Sequence, residues 1–242
     1  MDLIVLGCSG SYGAPGGGAC SGYLVRDGST NIWIDAGNGT FPHLQEHIDV
    51  ADLSAVVLTH EHPDHCVDLY GLHVMYRYGL ELTGLPVYAP EGLEPRLRGL
   101  VSDWGRAFDW SVVDDESAVT IGDVALRFSR TDHPPPTYAV ELTAHERRMI
   151  YTADTGPGWS PDAFGGGADL VLSEATYQVG HTGASWHLTA RDAGNAAREA
   201  KARRLMLTHV WPRLDPVVSV EEGSDAYGDA VTMAAPHMVS TV

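Results

Sequence analysis

Apolar runs of strand length, punctuated by glycine, proline and acidic residues, dominate the chain. Leu3-Ile4-Val5-Leu6 predicts a buried strand over 2–6, which runs into a loop over 7–18 too rich in glycine for regular structure. That loop could line a phosphate site with backbone N–H groups or serve as a plain connection. Residues 22–26 and 31–35 predict a hairpin about the turn pair Asp27-Gly28. A short helix over 40–47 and a strand over 55–59 follow. Helical spacing returns over 68–78, where Leu69, Leu72, His73 and Tyr76 fall near one face, so His73 is expected to be a packed core histidine. A strand over 86–88 and a helical segment over 92–101 complete this half.

Strand patterning then takes over, at 111–113, 119–121 and 124–130, and at 138–142 with 149–151 around the polar turn 143–147. His145, in that turn, is expected to have no partner. A strand over 169–172 ends in Ser173-Glu174-Ala175-Thr176. The clearest helix spans 189–202, with Thr189 as N-cap and Asp192 at N3. A strand over 204–208 ends at His209, Asp215-Pro216 starts a last helix, and 238–242 is placed at a sheet edge. Two β-rich halves, each followed by helices, with no linker and no short-period repeat, predict one domain over 1–242 with two packed sheets.

Composition narrows the partners. The 242 residues suffice for a large core, and 44% hydrophobic content is ordinary for a globular chain. No apolar run nears the ~20 residues of a membrane span. Met1-Asp2 leads straight into the first strand, so a cytoplasmic location is expected. Three cysteines, Cys8, Cys20 and Cys66, fit a reducing compartment. A net charge of −17 with no basic stripe weighs against nucleic acid and other large polyanions as partners.

The candidate chemistry lies in Thr59-His60-Glu61-His62-Pro63-Asp64-His65-Cys66, directly after the run Ala55-Val56-Val57-Leu58. Imidazoles suit zinc and its transition-row neighbours, and a carboxylate adds a harder ligand. Extended residues alternate sides, so His60 and His62 can aim at one point while Glu61 turns away. Past the turn at Pro63, Asp64 and His65 can reach a second. Cys66 is expected to be a buried thiol rather than a ligand. Asp35 either braces this loop or caps the next turn. Further ligands should sit where strands end, and His133, Asp154 and His209 do.

The loop resembles the signature of the metallo-β-lactamase superfamily, whose fold is an αββα four-layer sandwich, an α/β architecture of two packed mixed sheets flanked by helices. The resemblance implies two divalent metal ions, with zinc first and manganese or iron as alternatives. It puts His60, His62 and His133 on one, Asp64, His65 and His209 on the other, and Asp154 of Thr152-Ala153-Asp154-Thr155-Gly156 between them. Phosphodiesterases and thioester hydrolases of the superfamily keep that bridging acid, whereas its true β-lactamases generally lack one. Two such ions make hydroxide available near neutral pH. Asp64 is a candidate to orient it.

Glu174-Ala175-Thr176, His187-Leu188-Thr189-Ala190 and Leu207-Thr208-His209 are similar to the C-terminal pattern of ribonuclease Z. Carried over, His187 is the general acid and Glu174 orients it and raises its pKa. Bacterial ribonuclease Z carries a long basic arm between the ligands matching His133 and Asp154; here only residues 134–153 lie between them. The opening Leu6-Gly7-Cys8-Ser9-Gly10-Ser11 resembles that of actinobacterial cyclic nucleotide phosphodiesterases. The expectation is a hydrolase for a small phosphodiester such as a cyclic nucleotide, possible as a homodimer. The alternatives are an armless ribonuclease Z-like tRNA 3′-end nuclease and a thioester or lactone hydrolase of glyoxalase II type. Arg213 is a candidate for a phosphate oxygen, and Tyr12, Trp186 or Trp211 for stacking a base.

Overall fold

The computed structural model describes residues 1–16, 18–101, 103–181 and 186–242; of the glycine-rich loop, Gly17 lies outside them. The N-terminal half supplies β1 (Asp2–Gly7), β2 (Gly22–Asp27), β3 (Thr30–Ile34), β4 (Ala55–Val57), β5 (Leu85–Pro90) and β6 (Phe108–Val113). The C-terminal half supplies β7 (Ala118–Ile121), β8 (Val124–Arg130), β9 (Tyr138–Ala144), β10 (Arg147–Tyr151), β11 (Leu170–Glu174), β12 (Leu205–Thr208), β13 (Thr232–Met233) and β14 (Val239–Thr241). They form two seven-stranded sheets, ordered β14-β1-β2-β3-β4-β5-β6 and β13-β12-β11-β10-β9-β8-β7. Each sheet is antiparallel where hairpins connect it and parallel where helices cross over: β3 to β6 are parallel, as are β10 to β13.

The inner strands β1, β4, β11 and β12 are buried almost throughout and mostly apolar because both faces are covered, whereas β6, β7 and β8 expose one face. Leu3, Val5, Ile32, Ile34 and Val57 meet Leu126, Phe128, Val140, Tyr151 and Leu172 of the facing sheet. Their neighbours Ile4, Leu6, Trp33 and Val56 point outward, under Leu44 of α1 (Thr40–Gln45) and Leu69 and Leu72 of α3 (Leu69–Val74). Behind the second sheet, Ile150, Val171 and Leu207 pack on Ala190, Ala193 and Ala197 of α5 (Ala190–Glu199) and Tyr227 of α6 (Pro216–Tyr227). The layers are therefore helix, sheet, sheet, helix. No helix among the described residues is long and apolar enough to cross a membrane.

Several elements depart from the pattern. β6 begins at Phe108, because Leu85 to Pro90 pair with Phe108 to Val113 residue for residue. The helix expected over 68–78 keeps α-helical hydrogen bonding only to Val74 and widens into a π turn over Met75–Gly79. The segment expected over 92–101 is helical only as α4 (Leu93–Leu97). Thr189 and Asp192 form the expected capping box, each accepting from the other's backbone N–H. His145 does have a partner: its Nε2 lies 3.0 Å from Oδ2 of Asp27, the last residue of β2 in the facing sheet. Residues 118 positions apart in sequence meet there because the sheets stack, which no local pattern reveals.

Candidate metal centre

The topology collects the candidate residues at one edge. β8, β10, β11 and β12 run in the same direction, so His133, Asp154, Glu174 and His209 all emerge from the carboxyl end of the second sheet. From the first sheet, β4 delivers the loop that holds His60 and His62. Pro63 then opens α2 (Pro63–Cys66), with His62 as its N-cap and Asp64 and His65 in its single turn. Glu61 turns away, as alternation requires, and its Oε2 meets Arg96 Nε at 2.7 Å.

The result is two adjoining clusters. Ligand atoms of His60, His62, His133 and Asp154 lie within 4.8 Å of one another, and so do those of Asp64, His65 and His209. Asp154 touches both, with Oδ2 3.6 Å from His60 Nε2 and Oδ1 3.3 Å from His65 Nε2 and 3.5 Å from His209 Nε2.

Hydrogen bonds behind the rings fix which nitrogen faces inward. His65 Nδ1 donates to Asp35 Oδ2 at 2.8 Å. Thr59 gives its hydroxyl proton to the same carboxylate at 2.9 Å, so it can only accept from His60 Nδ1, 3.0 Å away. His133 Nδ1 donates to the Trp186 carbonyl at 2.8 Å. Thr176 donates to Glu174 Oε2 at 2.8 Å and accepts from His209 Nδ1 at 2.8 Å. Four histidines thus turn Nε2 towards the centre, with Nδ1 the proton-bearing nitrogen when the ring is neutral. The close pairs His65–His209 (3.3 Å, Nε2 to Nε2) and His60–His62 (3.1 Å, Nε2 to Nδ1) then bring ring nitrogens together at the centre. Asp154 Oδ1 is buried and accepts no hydrogen bond among the described residues. Such a set fits cations, whose positive charge would satisfy every inward lone pair.

The electrostatics agree. Burial opposes a charge on His65, yet Asp154, Asp64 and Asp35 push its pKa well above the usual range. Burial likewise opposes ionisation of Asp154, but His209 and His65 hold its carboxyl well below the usual range. The pocket therefore demands positive charge, as a proton or as a metal. His60, by contrast, is held well below its ordinary value by burial and by His65, which keeps it in the ligating form.

Asp35 is the brace and not a turn cap: fully buried, it also accepts from Thr59 N (2.8 Å) and the Tyr151 hydroxyl (2.9 Å). Its φ of 55°, with 50° at Ala153 and 56° at His209, places left-handed non-glycine residues beside the centre, where strain is held by packing. Two glycines permit the approach. A Cβ on Gly37 would sit 2.1 Å from the Asp64 carbonyl, and one on Gly10 2.2 Å from that of His209. The glycine loop thus packs against the His209 turn, with Ser11 N 3.4 Å from His209 Nε2.

Beside the clusters, His187 Nδ1 lies 2.9 Å from Glu174 Oε1 and 3.9 Å from Asp154 Oδ2. Glu174 also accepts from Thr155 N (2.7 Å) and Leu188 N (3.1 Å), so its carboxylate is fully engaged. Burial would lower the His187 pKa, but Glu174 outweighs it and brings the ring to about 9. Tyr177 stands edge-on to His187 at 5.7 Å, stacks on His181 at 3.5 Å and meets Trp211 edge-on at 5.1 Å. No motif in the sequence marks Tyr177 or His181. Trp186 and Tyr12 are exposed, and Trp211 Nε1 donates to Ser11 Oγ at 3.0 Å. Cys66 and His73 belong to the interior: burial pushes the thiol to about 12, and His73 Nε2 donates to the Trp104 carbonyl at 3.1 Å.

A four-layer sandwich with a histidine and aspartate centre at the strand ends defines a metallo-hydrolase architecture. Residues 30–210 match the family model described as "Beta-lactamase superfamily domain". The chain belongs to the metallo-β-lactamase superfamily and is a metallo-hydrolase of that class. It is 30% identical over 215 residues to the Bacillus subtilis protein named "Probable metallo-hydrolase YhfI", covering 87% of each chain. An uncharacterised protein of Mycobacterium tuberculosis is 34% identical over 234 residues, 90% of this chain and 85% of that one. A Natronomonas pharaonis protein named ribonuclease Z is 26% identical over 94% of this chain and 93% of its own. The crystal structure of YhfI superposes with a TM-score of 0.90 over 99% of this chain and 98% of the other, at 26% identity. A diphosphatase of the PhnP family shares the fold at a TM-score of 0.80 and 20% identity, covering 100% of this chain and 97% of its own.

Proposed function

We propose that the protein is a binuclear phosphodiesterase for a small diester such as a cyclic nucleotide. In this reading His60, His62 and His133 hold one cation, Asp64, His65 and His209 the other, and Asp154 both, with zinc favoured by the nitrogen-rich donor set. Two divalent cations there would acidify a water into a nucleophile near neutral pH and draw charge from the phosphoryl oxygens.

The chain's own groups do the rest. Asp64 accepts a hydrogen bond from the nucleophile and aims it. His187, anchored through Nδ1 by Glu174, gives the proton on Nε2 to the departing oxygen. The Glu174–His187 pair is the observation that carries the reading. A departing alkoxide needs a proton, whereas a thiolate, with a pKa near ~8.5, leaves without one, so the pair favours a diester over a thioester. Residues 134–153 are almost wholly used by β9, β10 and their turn, which leaves no room for an arm that would clamp tRNA. The Tyr177–His181–Trp211 group supports recognition of a small aromatic substituent beside the acid.

The test compares kcat/KM for cyclic AMP, precursor tRNA, S-lactoylglutathione and bis(p-nitrophenyl) phosphate on protein of measured metal content. A preference for the two small diesters is expected. Turnover confined to the thioester would refute the reading, and efficient precursor cleavage would replace it with the ribonuclease Z alternative, which the similarity to proteins of that name favours.

A further inference from the structure

A second group of imidazoles lies on the outer face of the first sheet and shares no residue with the centre above. His43 in α1 and His47 in the turn that follows it both meet His237 from the segment before β14. His237 Nδ1 is 3.0 Å from His47 Nε2 and 3.9 Å from Glu46 Oε2. Ligand atoms of His43, Glu46 and His237 all lie within 4.8 Å of one another.

The orientation of the rings is set by the backbone. His43 Nδ1 donates to the Leu6 carbonyl of β1 at 2.6 Å, so its lone pair is on Nε2, the other side of the ring. His237 is held with φ at 67°, in the left-handed region, while its N–H donates to the Val5 carbonyl at 2.7 Å. Burial and the facing His237 hold the His47 imidazole below its ordinary pKa, leaving it in the neutral form that ligates.

We propose that His43, His47, His237 and Glu46 form a separate site for a transition-metal cation of the zinc class. Tetrahedral ligands at zinc stand about 3.3 Å apart; the His47–His237 pair is near that spacing, whereas His43 and Glu46, which lie within 4.8 Å of His237 in a cluster that does not take in His47, have to close on the cation. Glu46 is largely exposed and free to make that movement. The proton now shared by His47 and His237 shifts to an outer ring nitrogen when both lone pairs turn to the cation. Such an ion would tie α1 and β1 to the segment that leads into β14, clamping the edge strand of the first sheet to residues nearly two hundred positions earlier.

The experiment uses tag-free protein with its catalytic centre already loaded, dialysed against Zn²⁺ and analysed for metal and protein. The His237→Ala and His47→Ala variants are treated alike. Wild type is expected to hold one zinc more per chain than either variant, with a Kd by calorimetric titration at least about tenfold tighter than any residual binding in the variants. Added Zn²⁺ is expected to raise the Tm of wild type only, while hydrolytic activity stays equal in all three. Equal zinc content and equal titration curves in wild type and variants would overturn the proposal. Because His237 and Glu46 are exposed whereas His47 is half-buried, a folding defect in one variant is checked against the other and against Glu46→Gln, which is expected to weaken binding and spare the fold.

Discussion

Replacing His187 by alanine separates the proposed proton donor from the proposed metal centre. The His187 ring is mostly buried, touches Glu174 at 2.9 Å, and is brought from 6.5 to about 9 by that carboxylate against the pull of burial. That change corresponds to about 3 kcal/mol in favour of the protonated ring. A positioned general acid contributes about 10²–10⁴ in rate, or roughly 3–5 kcal/mol of barrier. His187→Ala is therefore expected to slow diesters with alkoxide leaving groups by that factor and to keep its metals. Diesters that release p-nitrophenolate, which departs unprotonated, should slow far less. The acid must be protonated, so kcat for alkoxide esters falls as pH rises through the His187 pKa. Glu174→Gln removes the group that raises this pKa, and the alkaline limb is expected to move to lower pH. Stopped-assay pH profiles on both substrate types check each point. Equal slowing of both substrates in His187→Ala, or an unmoved limb in Glu174→Gln, would refute the assignment.

Three further outcomes follow from the geometry. Asp35→Ala leaves His65 Nδ1 and the Tyr151 hydroxyl without their acceptor and is expected to weaken metal retention about 10–100-fold, read by chelator competition. Gly37→Ala places a methyl 2.1 Å from the Asp64 carbonyl, so α2 must shift; reduced metal content and a lower Tm are expected, with the opposite sheet unaffected in hydrogen exchange. In metal-free protein, the raised His187 pKa contributes up to about 3 kcal/mol of stability below pH 6.5, lost as pH rises towards 9; denaturant titrations should show that slope in wild type and not in His187→Ala.

The sequence makes the metal loop legible because its ligands are contiguous, and hydrophobic runs end at His133, Asp154 and His209 for the same reason that strands position ligands rigidly. The layers are legible too, since Ile32-Trp33-Ile34 and its counterparts are apolar on both faces, which only a covered sheet permits. What escapes the sequence is pairing across distance. Tyr151 reaches Asp35 from 116 residues away, and His237 reaches His47 from 190. Thr59 and Thr176 settle the tautomers of His60 and His209, and their one visible signal is adjacency to the residues they serve, before His60 and two after Glu174. β6 begins three residues early because its register is set by β5, a partner invisible to a local window.

The two-cation claim is tested most directly at Asp154, whose buried Oδ1 has no hydrogen-bond partner among the described residues and whose two oxygens face different clusters. Elemental analysis of wild type and Asp154→Ala, purified without chelator, counts metals per chain. The account expects two catalytic ions in wild type and near-complete loss of both in the variant, with the folded circular dichroism spectrum retained. A variant that still carries both ions in the centre would contradict it.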